Sequence, residues 1–543
     1  MQKNIPLLKR IPIFFLVIFI TSCTPFYAMA QADLRTDNYI QVKNNWEDTA
    51  RLTKSIQLKV LKKYGLNKYG LDSIPFKWLP IVHKIQYVQD HPYNWNDGAM
   101  VQAKGWQQFT RLGIYAKWKN FEAQIAPEFV YAENKIFEDF PETLDGVHWK
   151  DYYRFYNFIE LPTRMGDRTY ARLLYGQTFI KFHYKNFVLA ASTENKWWGP
   201  MQRNSLLLST TGAGFPHVSF ATEKPIETKL GSFEVEILYG KLVNGGWLPP
   251  DTAKKFIGNS LYVPKIPMER YIMGVNLSYH PKWVPHLSIG FEQMYVQYRK
   301  YLKNWDDYLP VKNLINRFSD ERIKQPILLT AFNFNYSFPE VNAAIYGEWG
   351  WNLTQTSFRN WLLQSDKGMA SSLGFKKLFI SNKKQYWELI GEITQLQLLT
   401  QADRLNLDLP ASWYLGSNVR QGYTNDGQLL GAGVGPGGSS QLLELNWRKN
   451  INRIGLTVER RVHNNDFYEF TFVESKDFRR FYVDFSSTIK VDWKYKKWLF
   501  GPRLSYIMTN NYNWWLFQAN DIYFVNGKDV QQFALQFNFQ YQL

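Results

Sequence analysis

Two stretches hold the residue types best suited to gripping a sugar. Glu194, Asn195, Trp197 and Trp198 fall within five positions, and Arg203 and Asn204 follow closely. A sugar ring has an apolar C–H face and a polar edge, so an indole plane beside amide, carboxylate and guanidinium groups suits it. The same two indoles would also suit an aromatic girdle at a membrane interface, or loop packing, and both readings stay open. In the second stretch, Gly422, Gly427, Gly431, Gly433, Gly435, Gly437 and Gly438 surround Tyr423, Asn425 and Asp426, with Arg420 at the start. So many glycines predict tight turns and close backbone approach, as in a loop folded into a confined lumen. Arg420, Tyr423 and Asn425 are its candidate glycan contacts. No Gly-Lys-Ser or Gly-Lys-Thr follows, so a phosphate-cradling reading is weak.

Covalent and metal chemistry find little support. The chain has no Gly-x-Ser-x-Gly and no His-Glu-x-x-His, and Ser487-Thr488-Ile489-Lys490 matches Ser-x-x-Lys only on an alternating strand. The eight histidines are dispersed, so neither a metal site nor a cofactor is expected, and the chain reads as a non-enzyme.

The elements that must position these residues are strands. The 543 residues include 21 Trp, 34 Tyr and 39 Phe, an aromatic share of 17%, with 20% charged residues and a mean hydropathy of −0.37. That composition excludes a disordered chain and a helical membrane protein. At the N-terminus, Lys3, Lys9 and Arg10 precede an apolar run from Ile11 to Ile20, and Ala28-Met29-Ala30 offers small residues where a signal peptidase reads. Cleavage before Gln31 is the preferred reading. The alternative takes Ile20-Thr21-Ser22-Cys23 as a lipoprotein box with Cys23 acylated. Cleavage would remove the single cysteine, and with it disulfides, Cys-ligated zinc and thiol nucleophiles. It would also lower the net charge from +17 to +14, a surplus pointing to anionic surroundings such as lipid phosphates or acidic polysaccharide rather than nucleic acid. Residues 31–78 contain Trp46, Ala50, Leu52, Ile56, Val60 and Leu61 at helical spacing, which predicts a short periplasmic helical segment.

From residue 79 to 543 the chain alternates with period two. Phe533, Leu535, Phe537, Phe539, Tyr541 and Leu543 share one face, and Gln532, Ala534, Gln536, Asn538, Gln540 and Gln542 the other. Val483, Phe485, Ile489, Val491, Trp493 and Tyr495 repeat the pattern. Many such strands with aromatic ends predict a transmembrane antiparallel β-barrel, an all-β fold. Tight turns are read at Lys119-Asn120, Lys185-Asn186, Gly231-Ser232, His280 to Pro285, Phe338 to Glu340, Ser381 to Lys384, Arg448 to Asn452 and Lys496-Lys497, with longer connections between hairpins. Eight tight turns, with both termini on their side, imply about 18 strands. Pro127 interrupts one of them and predicts a bulge or a strand end. Inward phases carry Arg111, Lys117, Lys490, Lys494 and Arg503 with Glu122, Glu128, Glu348, Asp484 and Asp492, which predicts a lumen crossed by ion pairs and filled by loops.

Three segments resemble the capsule assembly Wzi family in its Bacteroidetes form: 96–108 with 127–134, 192–209 with 214–220, and 419–441. With the alternating framework they cover nearly all of the chain after residue 30. The resemblance implies an outer-membrane protein of a Gram-negative cell, an 18-stranded barrel with a periplasmic helical element, that acts as a lectin holding capsular polysaccharide. Its implied partners are capsular or other surface polysaccharide, outer-membrane lipid with lipopolysaccharide, and the barrel-assembly machinery, with the chain a monomer. The alternative is a porin-like channel for oligosaccharides or anions.

Overall fold

Polar residues face inward and apolar residues outward, the reverse of a water-soluble sheet. Along Val530–Tyr541, Phe533, Leu535 and Phe537 are exposed while Gln532, Ala534 and Asn538 are buried. The computed structural model describes residues 76–542, apart from 143, 250, 309–325, 355–357, 383–384, 399–411, 473–479 and 516–527. The expected export signal and helical segment therefore lie outside the described residues, save that Phe76–Trp78 is already strand, paired with Ile114–Ala116.

From Gly231–Leu242 onward, long antiparallel strands pair each with the next: Arg270–Pro281, Leu287–Tyr298, Ile327–Phe338, Ala343–Asn352, Met369–Asn382, Gln385–Gln395, Ser439–Lys449, Asn452–Val462, Val483–Tyr495, Trp498–Asn510 and Val530–Tyr541. The last of these pairs on its other edge with Ile81–Val88, from Ile81 opposite Tyr541 to Val88 opposite Ala534. In the N-terminal part the strands are broken in two. Phe76–Trp78 is followed by Ile81–Val88, Gly105–Arg111 by Ile114–Trp118, Phe121–Ile125 by Glu128–Ala132, and Tyr170–Leu174 by Phe179–Tyr184. The breaks lie side by side, since the Leu79 N–H reaches the Gly113 carbonyl and the Gln177 N–H the Ala126 carbonyl. A Cβ at Gly113 would come within 2.5 Å of the Ile125 oxygen, so the seam needs glycine there. Pro127 sits in this seam and ends its strand, because it has no N–H to continue the ladder. The seam is bounded by the short strands Phe187–Ser192 and His217–Thr222, which lead to Gly231–Leu242.

The tight turns gather at one end of the sheet and the long connections at the other. Lys119, Lys185, Asn342, Asn450 and Lys496 turn the chain with positive φ. The wall near that end is crossed by buried ion pairs: Lys376 and Arg448 on Glu388, both at 3.0 Å, Lys490 on Glu444 at 3.0 Å, and Arg453 on Asp492 at 2.6 Å. The long connections supply most of the main apolar core, including Trp198, Leu206 to Leu208, Trp413 to Leu415, Tyr423 and Phe467. Helix Gly146–Tyr156, capped by Asp145, packs on helix Asn465–Thr471 through Phe155 and Phe467, with ring centroids 5.5 Å apart.

Candidate functional site

Residues 193–216 leave the wall at Ser192 and turn inward. Gln177 holds Asn195 at both ends, accepting from its N–H at 3.1 Å and donating to its Oδ1 at 2.9 Å, while the Asn195 Nδ2 donates to the Gly212 carbonyl at 2.7 Å. Glu236, on the wall, then receives two donors from this segment, the Lys196 ammonium at 2.6 Å and the Trp198 indole N–H at 3.0 Å. Burial alone would lower the Lys196 pKa, but the carboxylate beside it outweighs that cost and holds it above the ordinary lysine range.

The next residues are held by their backbone. The N–H groups of Gln202 and Arg203 donate to the two oxygens of Glu392 at 2.6 and 2.8 Å, and the Leu206 N–H donates to Glu348 at 2.8 Å. The Arg203 guanidinium reaches Glu459 at 2.5 Å and stacks 4.1 Å over Trp95, which Arg461 also covers, at 4.7 Å. A carboxylate is an acceptor only, so aiming several at consecutive backbone N–H groups fixes a loop that has no ladder of its own.

The glycine-rich segment lies against this loop. Tyr414 donates to the Leu206 carbonyl at 2.8 Å, Tyr423 to the Leu207 carbonyl at 2.9 Å, and Ser209 bonds through its N–H to the Leu430 carbonyl at 2.9 Å. Burial pushes both phenols upward, so each stays a donor. A Cβ on Gly431 would approach the Tyr414 hydroxyl at 2.5 Å and the Leu206 oxygen at 2.6 Å, which is why the two segments can touch.

The candidate contacts are thus gathered into one plug, with different surroundings. Trp198, Asn204, Tyr423 and Asn425 are buried. Asn204 accepts from the Val434 N–H at 3.1 Å, and Asn425 from the Val243 N–H at 2.9 Å. Trp197 and Arg203 are half-buried, the Trp197 indole donating to the Met201 carbonyl at 3.1 Å. Arg420 sits at the outer side, its guanidinium donating to the Val263, Pro264 and Asn157 carbonyls at 2.9, 3.2 and 3.3 Å. Sequence reasoning named Glu348 as inward but missed Glu236, Glu392 and Glu459. The signal available was an acid on the inward phase beside a glycine, as in Gly347-Glu348 and Gly391-Glu392.

Three comparisons bear on this arrangement. The sequence model of a family described as capsule assembly protein Wzi matches residues 88–498. Among solved structures, the chain is similar to Escherichia coli Wzi, described as an outer membrane protein involved in group 1 capsule assembly and a carbohydrate-binding β-barrel. The identity is 11%, the match covers 95% of this chain and 100% of that one, and the TM-score is 0.56. OccAB2 and OccAB4 of Acinetobacter baumannii give lower scores, each 0.41 at 10% identity over 86% of this chain and 98% of theirs. No curated protein sequence matches. At such identities the likeness speaks to fold.

Proposed function

The chain belongs to the capsule assembly Wzi family, and from that premise we propose that it is a non-enzymatic outer-membrane barrel that binds surface polysaccharide during capsule assembly or attachment. The family match over residues 88–498 carries the reading. The cyclic pairing, in which Val530–Tyr541 returns to Ile81–Val88, supports closure of an 18-stranded barrel. In this reading residues 1–30 are an export signal, 31–75 lie in the periplasm, and the barrel-assembly machinery inserts a monomer. The plug favours a surface anchor over an open channel. Glycan contact falls to the accessible groups, Trp197, Arg203 and Arg420, while Trp198, Asn204, Tyr423 and Asn425 hold the plug beneath them.

The test compares polysaccharide bound to cells with that shed into the medium, with and without the gene, at matched total synthesis. More shedding at unchanged total supports the anchor; an unchanged distribution sinks it. Steady single-channel currents from the purified protein would favour the porin-like alternative instead.

A further inference from the structure

The positive surplus of the chain is not where a polysaccharide would meet it. The long connections, 89–104, 133–169, 193–216, 243–269, 299–326, 353–368, 396–438, 463–482 and 511–529, together contain 26 Lys and Arg against 27 Asp and Glu. Some cations at that end are paired: Lys241 and Arg299 share Glu269, half-buried Lys254 meets Glu142 at 2.8 Å, and Lys135 meets Glu133 at 2.9 Å, whereas Lys150, Lys255 and Lys303 are exposed without an ion pair among the described residues. The tight-turn end differs in setting its lysines on exposed aromatic rings at the edge of the apolar wall. Lys119, Lys185, Lys282, Lys496 and Lys497 are exposed, and none has a carboxylate partner among the described residues. Four of them lie over an aromatic ring: Lys119 over Trp118 at 5.0 Å, Lys185 over Tyr184 at 5.3 Å, Lys496 over Tyr495 at 5.2 Å, and Lys497 over Tyr541 at 5.9 Å. Trp118, Tyr184 and Tyr495 are themselves 63%, 57% and 59% exposed, with the apolar outer face of the wall beside them.

An amphipathic ring at the edge of an apolar band seats at the headgroup level of a bilayer, and an ammonium held over it faces phosphate. We propose that the tight-turn rim is a binding surface for the phosphate headgroups of anionic phospholipid in the leaflet around it. The ring sets the depth of each lysine, and the absence of a carboxylate leaves its charge for the lipid. This site is separate from the polysaccharide contacts and rests on the barrel reading only for its position at a bilayer edge.

The experiment measures lipid retention on the purified full chain in mixed micelles containing phosphatidylglycerol or phosphatidylcholine, by native mass spectrometry. Wild type is expected to retain phosphatidylglycerol preferentially. The combined Lys119→Gln, Lys185→Gln, Lys496→Gln and Lys497→Gln variant is expected to lose that preference at least tenfold, on the basis of roughly fivefold per lysine near a charged surface. The matched Lys241→Gln, Lys254→Gln and Arg299→Gln variant should retain it. If the combined variant does not fold, the four single variants decide, each expected to lower the preference a few-fold. Equal retention of the two lipids by wild type, or an unchanged preference without the lysines, overturns the proposal. So does competition by inorganic phosphate as effective as that by the lipid, which would mark a free-anion site, or lysine-dependent capture of polyglutamate without lipid preference, which would mark a protein-docking face. Polysaccharide shedding by cells carrying the combined variant is read separately. It should stay at the wild-type level, so failure of the lipid proposal leaves the anchor reading intact.

Discussion

In the plug, wall carboxylates take donors from an inward loop, whereas the exposed lysines of the tight-turn rim have no carboxylate partner among the described residues. Glu392 alone accepts from the N–H of Gln202, the N–H of Arg203 and the Tyr346 hydroxyl. Lys119 lies over an indole and is otherwise exposed. One region places charge where water is excluded and every bond must be matched; the other places it where the surroundings supply the partner. Substitutions should therefore cost much in the first and little in the second, although both involve charged side chains.

The largest effect is expected for Glu392→Ala. It leaves two backbone N–H groups and a phenol without their buried acceptor, at about 1–3 kcal/mol for each group left unmatched. Equilibrium unfolding in detergent should show a loss of about 3–5 kcal/mol, with steady currents appearing in a planar bilayer as the loop loosens. Glu392→Gln keeps one acceptor oxygen and should fall between. Unchanged stability with a silent bilayer would mean that the loop is held by its apolar contacts alone. Arg203→Ala comes next, at about 2–4 kcal/mol, because the Ser440 hydroxyl still donates to the Glu459 carboxylate it abandons, at 2.7 Å. Arg203→Lys keeps the charge but loses the planar fork over Trp95, and should recover only part of the loss. Full recovery with Lys would show that charge, not geometry, is what Glu459 requires.

How much of this was legible in the sequence differs between the same two regions. The rim was legible because turns and alternation are local. Lys119-Asn120, Lys185-Asn186 and Lys496-Lys497 lie between paired strands, and the apolar phase of 533–543 is the exposed one over the described residues. The plug was legible only as glycine-rich composition. Nothing local marks the N–H groups of Gln202 and Arg203 as partners of a carboxylate 190 and 189 residues away. Trp197 and Trp198 are adjacent and chemically identical, yet only Trp198 is buried on Glu236, a distinction set by the wall opposite. Helix Gly146–Tyr156 was passed over as part of a long connection, although Asp145 is a good N-cap and its side chain accepts from the Val147 and His148 N–H groups.

Between the extremes lies His463, at the start of the connection after Asn452–Val462. Burial lowers its pKa from the ordinary 6.5, against the pull of Asp484, which its Nε2 meets at 2.6 Å. The unfolded chain then binds the proton more readily than the folded one, so this contribution to stability is present above 6.5 and is lost as pH falls below it. Unfolding midpoints measured from pH 8 to pH 5 should decline, and His463→Gln should flatten the lower part of that curve. An identical curve for the variant would assign the decline to other groups.

The smallest effect is expected at the rim, and its smallness is informative. Lys119→Gln removes a charge from an exposed turn residue with no carboxylate to leave behind. Its cation–π contact is of the exposed kind, about 0.5–1 kcal/mol at most. The glutamine must also adopt the positive φ of 50° that Lys119 now holds, a cost that does not depend on the charge. In a lipid-free neutral detergent the change in stability should stay within about 1 kcal/mol. The same substitution, measured again with phosphatidylglycerol in the micelle, should cost measurably more, because only then does the lysine have a counter-charge to lose. A cost that is equal in both conditions would come from the turn itself. A cost that appears only with the anionic lipid would come from a partner outside the protein, whereas the cost of losing Glu392 arises from partners already inside it.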